Sequence, residues 1–124
     1  MSLFDWLLVG HLVGDFLLQT DNMARYKERS WPWMLKHVGA YMAVMVIFIA
    51  AYAVSHAVPL WVAGGGLLFI GGTHILLDRR DFTQGWMRIV GISADQSWLS
   101  IVVDQTFHLL VLAGVAQILV VTGT

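Results

Sequence analysis

The sequence predicts an all-α membrane protein, an antiparallel four-helix transmembrane bundle forming one domain over residues 1–124. Three observations carry this expectation. Of 124 residues, 58% are hydrophobic and 12% charged, against roughly a quarter charged in soluble domains. The stretches 38–54, 60–73 and 109–122 hold no formal charge, and each with its flanks approaches the ~20 residues that cross a bilayer. The basic residues gather in two segments, Arg25, Lys27, Arg29 and Lys36 in one and Arg79, Arg80 and Arg88 in the other. That distribution offers no basic stripe of the kind nucleic acid requires, so that partner is excluded.

Helix one is expected over about residues 2–19. It lacks a basic start and a small-residue cleavage site and carries Asp5, His11 and Asp15, so it reads as a retained helix rather than a signal peptide. Thr20, Asp21 and Asn22 end it, and Arg25, Lys27, Glu28 and Arg29 form a charged loop. Helix two follows over about 31–55, with Ser30 as N-cap and Pro32 in the first turn, where a missing N–H costs nothing. The short link 55–59 returns helix three antiparallel over about 60–78. A second polar loop, Arg79 to Gly91, precedes helix four, about 94–121, which Ser93 and Gln96 start in the form of a capping box. Gly10 and Gly14 make a GxxxG step and Gly71 lies on the face of His74, all suited to close helix approach. The run Gly64-Gly65-Gly66 is a further place for helices to meet, between copies in a homo-oligomer included.

The positive-inside rule puts both basic segments in the cytoplasm and both termini on the other side of the membrane. Trp6 and Trp61 then fall at outer ends, and Trp31, Trp33 and Trp98 at inner ends, where indole rings favour the headgroup layer.

His11 and Asp15, His74 and Asp78, and Asp104 and His108 are each spaced i, i+4, so each pair shares one helix face. The order reverses on helix four, and so does the direction of travel. The depths therefore match, with imidazoles deeper and carboxylates nearer the cytoplasmic mouth. His37, early in helix two, enters at about the level of the aspartates. Ionisable groups in hydrocarbon cost at least ~2.5 kcal/mol each at a helix centre, so they should face inward and be paired or bound. Without cysteine, any metal must be held by imidazole and carboxylate. The candidate ligands of a divalent metal, zinc above all and one or two ions, are His11, Asp15, His37, His74, Asp78, Asp104 and His108. His11, His74 and His108 with an open fourth position suit a catalytic zinc, while Asp15, Asp78 and Asp104 suit proton acceptance, bridging or orientation of the imidazoles. A hydrogen-bonded network that only locks the bundle, or a proton or ion relay, are the alternatives. Gln19 and Gln105 lie close to the same mouth, as substrate contacts or as amides bonded between helices. His56 and Asp5 lie at the outer end and read as solvated or interfacial. Asp21, Arg79, Arg80 and Asp81 line the cytoplasmic rim, where Arg79, Arg80 or Lys36 would hold an anionic headgroup.

Through the segment His11-Leu12-Val13-Gly14-Asp15-Phe16-Leu17-Leu18-Gln19-Thr20-Asp21, with Lys36-His37, His74 to Asp78, and Asp104-Gln105 to His108, the whole chain resembles a family of small bacterial or phage inner-membrane proteins, domain of unknown function 3307. The resemblance implies a compact helical protein of the bacterial inner membrane and imports no activity. A looser similarity, in style of site only, links it to membrane-bound metal-dependent hydrolases. The leading expectation is therefore a metal-dependent hydrolase in the lipid bilayer, acting on a membrane-associated or lipid-linked substrate. An oligomeric ion or proton channel or transporter, and a non-enzymatic membrane partner or effector subunit, are the competing readings.

Overall fold

The computed structural model describes residues 1–93 and 97–122, and every regular element among them is helical. Helix α1 is Leu3–Leu12, continued by a π-helical turn over Val13–Leu17. A short helix α2, Asp21–Tyr26, precedes the long α3, Trp31–Ala53. Helix α4 is Leu60–Asp78, α5 is Asp81–Val90, and α6 is Ser97–Thr122. Three of these, α3, α4 and α6, are long and apolar enough to cross a membrane.

The expected first span is different. Its α-helix has 10 residues and its π turn 5, which at ~1.5 Å per residue falls short of the ~30 Å hydrocarbon core. The start of α1 is fixed by a capping box, in which Ser2 N–H donates to Asp5 Oδ2 at 2.7 Å and Asp5 N–H donates to Ser2 Oγ at 3.2 Å. Asp5 thus has a local structural task. The two segments expected as loops are helical in part. Thr20 caps α2 by accepting from Met23 N–H. The polar segment Arg79–Gly91 contains α5, which buries Thr83 and Met87, four residues apart, and packs Phe82 and Trp86 on Phe107; the charges Arg79, Arg80, Asp81 and Arg88 make the segment read as a loop. The expected capping pair Ser93 and Gln96 cannot be followed, because Gln96 lies outside the described residues.

Helix α1 packs on α3 and α6, α4 packs on α3 and α6, and α5 closes over α4 and α6. The apolar core holds Leu3, Leu7, Met45, Ile49, Val62, Leu112, Val115 and Leu119. These come from the first half of α1 and α4 and the second half of α3 and α6, so the long helices alternate in direction and the core fills one end. Glycine sets the spacing of α1 and the π turn on α3. A Cβ on Gly14 would stand 2.8 Å from Tyr41 Cδ2, and one on Gly10 would stand 3.1 Å from Phe48 Cγ. The outer faces of the long helices are apolar as well, with Ile47, Leu68, Phe69, Leu110 and Ile118 exposed.

Candidate metal centre

The end opposite the apolar core gathers the polar residues of every long element. The π turn supplies Asp15, α3 supplies His37 and Tyr41, the last two turns of α4 supply His74 and Asp78, and α6 supplies Asp104, Gln105 and His108. His11, Asp15, His37, His74, Asp78, Asp104 and His108 are all buried.

Two sets of these residues converge closely enough to hold a metal ion. The first is Asp15, His37, His74 and Asp78; the second is Asp78, Asp104 and His108. In the first set, His37 Nε2 lies 3.0 Å from His74 Nε2, 3.2 Å from Asp15 Oδ1 and 2.9 Å from Asp78 Oδ2. His74 Nε2 lies 3.2 Å from Asp78 Oδ2 and 3.8 Å from Asp15 Oδ1. A tetrahedral ion with ligand bonds of about 2.0–2.1 Å requires ligand atoms about 3.3–3.4 Å apart, so the set fits such an ion with small adjustments.

In the second set the proton position is informative. His108 Nδ1 is 2.9 Å from the Asp104 carbonyl oxygen and donates to it, which leaves the Nε2 lone pair free. Nε2 makes no hydrogen bond and faces Asp78 Oδ1 at 3.5 Å. With Nε2 unprotonated the two are buried acceptors facing each other, a place suited to a cation; with Nε2 protonated they pair directly. Asp78 presents Oδ2 to the first set and Oδ1 to the second, as a bridging carboxylate does. Asp104 Oδ1 accepts from the buried Thr83 hydroxyl at 3.1 Å, which orients it from α5.

His11 stands apart from both sets. Tyr41 O–H donates to its Nδ1 at 3.1 Å, its Nε2–H donates to Gln105 Oε1 at 2.8 Å, and Gln105 Nε2 donates to Asp15 Oδ2 at 2.9 Å. Both ring nitrogens are thereby used, and His11 supports Asp15 through Gln105. A π turn follows His11. Leu18 N–H reaches Val13 O at 3.1 Å, five residues back, so the backbone is wider here than the i, i+4 spacing assumes. Asp15 Oδ2 still lies 3.8 Å from His11 Nε2, as the i, i+4 spacing expects, while Oδ1 lies 3.2 Å from His37 Nε2.

Lys27, Tyr41 and Thr83 are site residues that sequence reasoning missed. Lys27 reads as a loop charge, yet its Nζ lies 2.7 Å from Asp78 Oδ2, 3.4 Å from Asp15 Oδ1 and 3.2 Å from His37 Nε2. It caps the face that these three make. Tyr41 stacks on the His74 ring at 3.7 Å and 10°; its place four residues after His37 was the available signal. Gln19 keeps a buried Oε1 without a hydrogen bond. It lines a cavity of about 190 Å³ together with Asp15, Lys27, Asp78, Arg80 and Asp104. His56, at the far end, pairs through Nδ1 with the Tyr52 carbonyl oxygen at 3.0 Å.

No curated protein and no solved structure matches the chain. A family model described as protein of unknown function, DUF3307, matches residues 3–124, and the chain belongs to that family.

Proposed function

We propose that this protein is a metal-dependent hydrolase of the bacterial inner membrane, with two divalent ions, zinc by preference, held at its cytoplasmic end. The observation that carries the reading is the sharing of Asp78 between a four-residue and a three-residue ligand set. A full set of four suits an ion that organises the site, whereas three ligands leave a position for water. An ion there supplies the means to make a water acidic near neutral pH and to draw charge from an ester oxygen. Asp104 is the most solvent-exposed of the three aspartates and lines the polar cavity. Besides holding the second ion through one oxygen, it would take a proton from a reacting water through the other, while Gln105 orients Asp15 and Thr83 orients Asp104. Asp15 and Asp78 serve as ligands and fix the imidazoles.

Membrane residence is supported by the three long apolar helices and by their outward Leu, Ile and Phe side chains. Lys36 lies 4.4 Å from the centre of the Trp33 ring, and Arg79 lies 4.9 Å from that of Trp31. Such pairs suit a headgroup layer at the end that holds the centre, and with the basic segments they support a cytoplasmic mouth and non-cytoplasmic termini. A transport reading has less support, because the core at the opposite end is apolar and offers a single bundle no polar path.

The test is elemental analysis of protein purified in detergent without chelators. Wild type should carry close to two equivalents of a divalent metal, and His74→Ala should lose the ion of the four-residue set. Wild-type protein carrying no stoichiometric metal rules the reading out.

A further inference from the structure

The polar cavity beside the candidate centre shares part of its wall with a second one. This outer cavity, about 420 Å³, is lined by Arg80, Gln84, Arg88, Ser97, Ser100 and Ile92 among others. Glu28, Arg80 and Ile101 line both, so Arg80 stands where the two meet. Its backbone is in the left-handed region, at φ 64, the one positive φ among described non-glycine residues. Such strain in a residue other than glycine persists where the surroundings demand it, often at functional sites. Here it lies between α4 and α5, and the Arg80 side chain lines the cavity beside the candidate centre. Arg80 Nη2 donates to Ser100 Oγ, and Nη1 lies 3.4 Å from Glu28 Oε1. Its Nε is buried without a hydrogen-bond partner.

We propose that the substrate is a phosphate monoester whose phosphoryl group is bound by Arg80 and Lys27 at the junction of the two cavities, facing Asp78 and Asp104, with its organic part toward the outer cavity. The inference rests on the two-metal reading. With two divalent ions in place, positive charge from the ions, Lys27, Arg80 and Arg88 exceeds the negative charge of Asp15, Asp78, Asp104 and Glu28. That excess favours an anion, and a dianionic phosphoryl group with three terminal oxygens would suit a site of two divalent ions beside a planar guanidinium. The phosphate takes the place of the Glu28 carboxylate on Arg80, whose ion pair is long and partly exposed. In the reaction a water oxygen forms a bond to phosphorus and the ester P–O bond breaks, its electron pair leaving on the alcohol oxygen. Asp104 takes one water proton and the alcohol oxygen receives one, so that alcohol and hydrogen phosphate result.

The experiment uses full-length protein loaded with zinc in detergent and titrated calorimetrically with inorganic phosphate. Wild type should bind it. Arg80→Asn, which tolerates the left-handed backbone, should bind it about 10- to 100-fold more weakly, the loss expected for hydrogen bonds to a charged partner. Its metal content should be unchanged, which also reports that the variant is folded. Arg80→Lys should fall between the two. Phosphate release from phosphatidic acid in phosphatidylcholine vesicles, compared with release from glycerol 3-phosphate, distinguishes a lipid from a soluble source, and turnover of either supports the assignment. Protein that keeps its metal yet neither binds phosphate nor releases it overturns the substrate class alone, as does Arg80→Asn binding as tightly as wild type. Protein without metal overturns both this assignment and the hydrolase reading.

Discussion

Lys27 sets the charge balance of the centre before any ion arrives. Its ammonium lies against Asp15 and Asp78, both buried, and two carboxylates held this close without a cation would repel strongly. An ion entering the four-residue set takes over that role. Lys27→Met keeps the length of the side chain and removes the charge, so the metal-free protein should lose about 3–5 kcal/mol, the range for breaking a buried ion pair. Thermal unfolding in detergent with chelator should show a melting temperature several degrees below wild type, and added zinc should restore most of it. A variant as stable as wild type in chelator would mean that Lys27 does not balance these carboxylates. Gly14 acts by its lack of a side chain. An added Cβ would meet Tyr41 at 2.8 Å, and Tyr41 both stacks on His74 and donates to His11. Gly14→Ala should therefore cost about 1–3 kcal/mol by overpacking, read as a lower melting temperature with and without metal.

Helix α5 acts on the centre as a unit, through Thr83 on Asp104 and through Arg80 on Ser100 at its N-terminal end. Thr83→Val keeps the shape and removes the donor, so Asp104 loses its orientation while the first ligand set is untouched. Affinity for the second ion should fall about 10- to 100-fold, the usual effect of losing a partner behind a ligand. Zinc titration should then resolve one tight and one weak site; two unchanged sites would sink the role given to α5. Much of this end of the molecule was legible in the sequence, because a buried ionisable residue is costly enough to leave its mark as a spacing. The pairs on α4 and α6 and the entry of His37 follow from helical periodicity alone. The spacing also holds for His11 and Asp15, 3.8 Å apart despite the π turn, but the reading fails to show that His11 lies outside both candidate ligand sets. It also fails for Lys27, whose long side chain returns from a segment polar enough to pass for solvated, and for α5, whose amphipathic pattern sits among the charges Arg79, Arg80, Asp81 and Arg88.

At the scale of the whole molecule, the candidate ligands are distributed so that each long element contributes and none is sufficient. The π turn, α3 and α4 meet in the first set, while α4 and α6 meet in the second, and Asp78 at the end of α4 belongs to both. Metal binding should for that reason stabilise the packing of the entire bundle, by about 2.7 kcal/mol for a single ion at a concentration about 100-fold above its dissociation constant. The distribution also fixes a pattern of losses. His108→Gln removes a ligand of the second set alone and should leave one equivalent of metal. Asp78→Asn weakens a ligand common to both and should abolish both ions together with the rise in melting temperature on adding zinc. His11→Gln touches no ligand atom directly and should retain both ions, with weaker support for Asp15 as its only cost. Elemental analysis and thermal unfolding of the three variants check this order. Were His11→Gln to lose metal while Asp78→Asn kept it, the site would have to be rebuilt around the deeper histidines, and the shared carboxylate would no longer join the two halves of the bundle.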